Sequence, residues 1–438
     1  MNSQRFRVPL VAAAVIQFAT CFLLSDRCLH ADPPPLTREW ARQLGTNEQD
    51  RARDVASDFW GNVYIVGDTR GALERHTNQG HSDAFIVSYD AKGHLRWQHH
   101  WGTELNDYAY RVVTDRQGNV FVISSFYGSE RRGSSLIAFS RTGTKLWERP
   151  LNVTPQDYVI GVALCVDRCG RIVVAGSTSA THDRYFITSF DRLGNRQGFQ
   201  THGQTTRLEP WAIAVDSSGN TFVAGTIGNA HPSLEKHDAA GNLVWSRDLS
   251  WIGRAHALVV DRCGRPTMVG WAFRFEATRE QITRFSHWID ALRTGEEPPE
   301  MPADTRTTVF VAKYSSSGEL LAKHRWDDIA GEHSGLDAAA DYFGTIYITG
   351  AAGNAPGEIF VAKANDSARP DWVRYVEGPD PRGIALGIDV DDEHLASDRG
   401  ERSGQIDRRG GLADAALLVG DGDDPAGLVI PKVLGRHA

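Results

Sequence analysis

The chain has 438 residues and a formal net charge of −8, with 47 Lys and Arg set against 55 Asp and Glu. No long basic cluster offsets that balance, which excludes the concentrated positive face that nucleic-acid binding requires. A length of this size ordinarily holds two or three domains, but an internal repeat claims most of it as one array.

Met1 to about Ala31 reads as a cleaved secretory signal. Arg5 and Arg7 precede an apolar stretch from Val8 to Leu24, and small Ala31 stands before Asp32-Pro33-Pro34-Pro35. The alternative is an uncleaved anchor helix, although Gln17 and Thr20 interrupt the apolar stretch. Neither Cys21 nor Cys28 follows the small-residue run of lipid attachment. Cleavage leaves Cys165, Cys169 and Cys263, an odd number for an oxidising compartment. Cys169 and Cys263 hold the same turn position in non-neighbouring repeats, too far apart to bridge. A local Cys165–Cys169 bond and unpaired thiols both remain open, and no Cys or His pairs show zinc-site spacing.

The repeated phrase is an apolar run, Asp, two residues, Gly and a β-rich run. It occurs around Asp58 and Gly61, Asp115 and Gly118, Asp167 and Gly170, Asp216 and Gly219, Asp261 and Gly264, and Asp341 and Gly344. A single small sheet per repeat cannot bury both of its faces, so the copies must pack around an axis. The predicted fold is an all-β β-propeller of six to seven four-stranded blades.

The first unit predicts strands over 53–58, 63–67, 83–90 and 94–101, with a tight turn over 59–62. Asp accepts backbone N–H bonds in such turns, and Gly followed by Asn tolerates positive φ. Glycine recurs six residues on, at Gly67, Gly176, Gly225, Gly270 and Gly350, where small size lets backbones or blades approach. A second turn leads to Trp97, Trp147 and Trp245, and later copies keep Trp326 and Trp372. A large ring at one repeat position predicts packing between blades. Trp40 has the fourth-strand phrase without preceding strands, so its segment should complete the last blade and close the ring.

From Trp40 to Asp90 the chain carries Gly45-Thr46, Asp58-x-x-Gly61-Asn62-Val63-Tyr64, Gly67-Asp68-Thr69 and Asp83-Ala84-Phe85-Ile86-Val87-x-Tyr89-Asp90. This run resembles the SBBP repeat family of bacterial secreted seven-bladed propellers, and the resemblance extends through about Tyr375. It implies an exported propeller without a generally assigned reaction.

The fifth unit is interrupted over about 274–308. Thr278-Arg279-Glu280-Gln281 forms a capping box, and Ile282, Phe285, Trp288, Ile289 and Leu292 share one helical face before Gly295 and Pro298-Pro299. This predicts a small helical insertion on a rim, either contacting a partner or capping the blade edge. A seventh unit begins over 384–389, yet no Phe, Tyr or Trp follows Tyr375. The propeller is therefore read over 36–389, and residues 390–438 as a degenerate last blade, a mobile tail or an unrelated terminus.

There is no phosphate-binding Gly-Lys loop, Gly-x-Ser-x-Gly elbow, His-Glu-x-x-His or dinucleotide fingerprint. The pair His99-His100 points to opposite strand faces. Asp50, Asp107, Asp157 and Glu209 each lie just before an inner strand, so a ring would gather carboxylates at one channel mouth, where Ca²⁺ is the cation such oxygens take. Alternatively each bonds its own loop backbone. The Asp-x-x-Gly-x-x-x-Trp phrase also resembles repeats of quinoprotein propellers, but the adjacent Cys pair typical of those dehydrogenases is missing here.

The reading is an exported, monomeric, non-catalytic binding or scaffold propeller, periplasmic or extracellular, with no nucleic-acid partner and no membrane span after signal cleavage. Its partner is a protein or polysaccharide met by the rim loops from Thr103 to Tyr110 and from His76 to Ser82. Tyr108, Tyr110, Phe285 and Trp288 are the contact candidates. A quinoprotein-like dehydrogenase or a calcium-dependent carbohydrate-binding propeller is the alternative.

Overall fold

The computed structural model describes residues 36–73, 77–128, 131–152, 159–178, 184–203, 208–227, 231–274, 307–327, 333–340, 344–352, 358–377, 384–390, 415–420 and 428–435. The predicted helix at 274–308, with Phe285 and Trp288, lies outside them, apart from its first and last two residues, as does Asp157. No described residue is helical.

The strands form seven four-stranded antiparallel sheets. Six are built from consecutive strands. Blade 1 comprises Asp50–Ser57, Val63–Thr69, Asp83–Tyr89 and Leu95–Trp101, and blade 2 begins with Asn106–Thr114. Blades 3 to 6 have inner strands Val159–Val166, Leu208–Val215, Gly253–Val260 and His333–Ala340. The seventh sheet joins Ile384–Val390, Ala415–Gly420 and Leu428–Gly435 to Leu36–Leu44 as its outer strand. Each inner strand contacts the next, and Ile384–Val390 returns to Asp50–Ser57, closing the ring.

The two middle strands of blade 1 are buried at every residue, whereas its outer strand is not. Middle strands are covered by neighbouring blades on both faces, so they are buried along their whole length, with Tyr64–Val66 and Ala84–Val87 as unbroken apolar runs, where a one-sided sheet would alternate.

The 1–2 turns follow the predicted chemistry. The Asp58 carboxylate accepts the backbone N–H groups of Trp60 and Asn62, each at 2.9 Å, and Gly61 has φ of +71°. Asp115, Asp167, Asp216 and Asp261 repeat the pattern. The tryptophans bridge blades through the next 3–4 turn. Trp40 Nε1 donates to the Ala91 carbonyl at 2.9 Å, Trp97 to Arg141, Trp147 to Arg192 and Trp245 to Ser316. A glycine faces each ring, since a Cβ at Gly93 would come within 2.6 Å of Trp40. Trp326, one residue beyond its strand Leu320–Arg325, instead donates to the carbonyl of Ala368, which holds the turn-glycine position itself. Cys165, Cys169 and Cys263 are all free.

Candidate functional site

Every inner strand carries a β-bulge at the same level. Pairing with the second strand slips by one residue at Arg53, Tyr110, Val162, Trp211, His256, Leu336 and Leu386. A bulge adds twist and re-aims the side chain it carries, which is why bulges collect beside binding sites. The repeated glycine is what makes room for it. A Cβ at Gly67 would collide with the carbonyl oxygen of Arg51, and Gly176, Gly225 and Gly270 meet Ile160, Glu209 and Arg254 in the same way.

On blades 1 and 2 the bulge builds an aromatic cluster near the rim where the inner strands begin. The guanidinium of Arg53 lies over Tyr108 and Tyr110, at 4.6 and 4.8 Å from the ring centroids. The two tyrosine rings are 5.7 Å apart, and Tyr127 joins them at 5.6 and 6.3 Å. All three tyrosines are half-buried. Arg53 is fixed by an ion pair with Asp68, whose other oxygen accepts from Ser82 Oγ at 3.1 Å. Burial is the largest single influence and would lower the Arg53 guanidinium, but Asp68 with Tyr110 and Tyr108 together raise the group above its ordinary value. Burial also raises the Tyr108 phenol. The arginine therefore stays charged beneath a layer of neutral tyrosine rings, a packed surface that stacks and hydrogen-bonds without moving.

The two rim loops singled out in sequence are stitched together beside this cluster. Ser82 and Asn106 form a parallel bridge, the Asp107 N–H donates to the Ser82 carbonyl at 2.7 Å and the His81 N–H to Leu105 at 3.2 Å.

Of the four acidic candidates, Asp50 and Asp107 are buried and serve their own loops. Asp50 accepts from Thr46, and Asp107 accepts from the Thr103 N–H at 2.7 Å and its hydroxyl at 2.8 Å. Burial raises both carboxyls. Glu209 is exposed on its strand. Among the described residues no three His, Cys, Asp or Glu side chains are grouped to hold a metal.

Across the channel the sequence reading missed a second group. Trp211 on blade 4 lies 5.7 Å from His256 on blade 5, with Arg254 stacked 5.5 Å from the Trp211 centroid. Trp271 Nε1 donates to His256 Nε2 at 3.2 Å, which leaves the proton of the neutral ring on Nδ1. The available signal was the glycine six residues past each turn, because the bulge stands opposite it.

With this geometry, comparison with known proteins is direct. Residues 39–73 match the SBBP family, a beta-propeller repeat. The SBBP unit straddles two blades, running from the outer strand of the seventh sheet into the second strand of blade 1, so the sequence repeat is offset from the structural one. No curated protein matches the sequence. Among solved structures, the WD40 domain of Pan2 from Neurospora crassa is 11% identical with a TM-score of 0.53, covering 93% of this chain and 98% of that one. Sqt1 from Chaetomium thermophilum is 10% identical with a TM-score of 0.47, over 92% and 100% of the two chains. The quinohemoprotein alcohol dehydrogenase ADHIIG from Pseudomonas putida HK5 is 10% identical with a TM-score of 0.46, over 92% and 77%. The first likeness shows a shared fold alone, and the other two carry no functional weight.

Proposed function

We propose that this chain is an exported, non-catalytic binding propeller that captures an extracellular polysaccharide at the rim where its inner strands begin. The observation that supports this is the Tyr108, Tyr110 and Tyr127 cluster held over Arg53. Tyrosine combines a flat apolar face with a hydroxyl at low conformational cost, which suits the alternating apolar and hydroxylated surfaces of a sugar chain. The stitched loops around Ser82 and Asn106 keep that face preformed, so little ordering opposes capture. In this reading Asp50 and Asp107 are loop anchors, and recognition involves no bond-making step.

A ligand selective for the folded state raises the melting temperature by mass action. The test is the melting temperature of the chain from residue 32 onward with a glycan panel, Ca²⁺, chelator and pyrroloquinoline quinone. A rise with one class of polysaccharide supports the proposal. A rise with Ca²⁺ or the quinone alone, or a flat panel accompanied by capture of a protein, refutes it.

A further inference from the structure

A cavity of about 520 Å³ lies on the propeller axis, lined by the inner strands of blades 1 to 6. Its volume falls within the range that encloses a small molecule. The walls differ in chemistry. The residue just after the bulge is Asp54 on blade 1, Arg111 on blade 2 and Asp337 on blade 6, and all three line the cavity. On blades 3, 4 and 5 the same position is Ala163, Ala212 and Ala257. Ala163 and Ala257 are themselves buried in the packing between blades, and Trp211 and His256 also line the cavity. Asp54 is held in place by the Val112 N–H, which donates to its Oδ2 at 2.8 Å.

We infer that this cavity is a binding site for a neutral saccharide of one or two rings. In a closed seven-membered ring blade 4 stands across the axis from blade 1, so a pyranose laid against Trp211 turns its hydroxyls toward Asp54, Arg111 and Asp337. Carboxylates and a guanidinium together supply acceptors and donors for hydroxyls, whereas a charged sugar would meet a like charge from one of them. This site starts at the level of the bulge that carries Tyr110 and runs from there toward the 1–2 turns, and it deepens the polysaccharide reading by giving the channel a place for a free sugar or a chain end.

The test uses isothermal titration of the chain from residue 32 onward with cellobiose, maltose and lactose, and with glucuronate and glucosamine as charged controls. One neutral disaccharide should bind at one site per chain. Trp211→Ala should abolish binding in a chain that still unfolds in one cooperative step, and Asp337→Asn should weaken it at least tenfold. Tyr108→Ala should leave disaccharide binding intact while reducing polymer capture, so the two sites can fail separately. No neutral disaccharide binding at millimolar concentration, tighter binding of a charged control, or binding unaffected by Trp211→Ala would overturn the inference.

Discussion

The Tyr185 hydroxyl of blade 3 donates across the blade boundary to the Glu235 carboxylate of blade 4, which is only 2% exposed. The same hydroxyl lies 2.9 Å from His237 Nε2, and the His237 ring is 4.3 Å from His202. At this boundary the bridging tryptophan is missing. Gly198 stands in its place, four residues past the turn glycine Gly194 as Trp147 is past Gly143, and the Gln200 amide takes over the bond to the next turn, donating to Ala240 at 2.7 Å. Polar side chains thus pack beside the apolar cluster of Ala163, Val173, Ile213 and Val223 at this boundary.

That substitution makes the boundary sensitive to acid. Burial, then neighbouring His237, lowers His202 from 6.5 to about 4. The unfolded chain therefore takes up this proton first as pH falls, so the contribution of His202 is constant above about pH 6.5 and is lost between there and about pH 4. Asp50 and Asp107 act oppositely. Their carboxyls are raised from 3.8 by burial, so they favour the folded state as pH falls toward that value. A His202→Phe variant isolates the histidine: its melting temperature should fall less than the parent's between about pH 7 and pH 4.5. Equal falls would remove His202 from the account.

Trp40 ties the two ends of the chain together, stacking against the Gly93 turn with Tyr89 at 6.0 Å. Trp40→Ala should cost about 3–5 kcal/mol in urea unfolding, the usual range for removing a buried aromatic. Hydrogen exchange should quicken first in Leu36–Leu44 and Asp50–Ser57. Loss of protection spread evenly over all blades would show that ring closure is not the weak point.

Gly225 faces the bulge that carries Trp211, and a Cβ there would strike the Glu209 carbonyl oxygen. Gly225→Ala should destabilise by about 1–3 kcal/mol through overpacking. Gly198→Ala is the control, because its nearest neighbour, Ser189 Oγ, is at ordinary contact distance, 3.8 Å. Urea midpoints for the two variants check this, and similar midpoints would contradict the assigned role of the glycine.

The blades were legible because each turn is local chemistry: Asp58, Gly61 and Asn62 specify a hairpin without reference to the rest of the chain. Closure by Trp40 was legible for the same reason, as a fourth-strand phrase lacking partners. The site was legible only in part. Tyr108 and Tyr110 could be read as rim residues, but Arg53 and Trp211 depend on a bulge, and strict alternation along a strand gives no hint of which residue is the extra one. The glycine opposite held that information, yet it reads equally well as blade packing. Asp50 and Asp107 resembled a cation ring in sequence because convergence at a channel mouth and bonding within a loop demand the same residue type at the same place.

The thiols provide an independent check on burial. Burial pushes the Cys165 thiol up to about 12, whereas Cys169 and Cys263 are exposed in turns. In the chain from residue 32 onward, a chromogenic disulfide reagent should titrate Cys169 and Cys263 quickly and the half-buried Cys165 distinctly more slowly. Three thiols reacting at once would contradict the inner-strand packing of blade 3.

The central claim is that the tyrosine cluster over Arg53 is a capture surface. The most direct measurement compares polysaccharide affinity for the parent chain and a Tyr108→Ala, Tyr110→Ala double variant, with melting temperatures recorded alongside. The account predicts at least a tenfold loss of affinity with the fold retained, whereas undiminished affinity in a folded variant would contradict it.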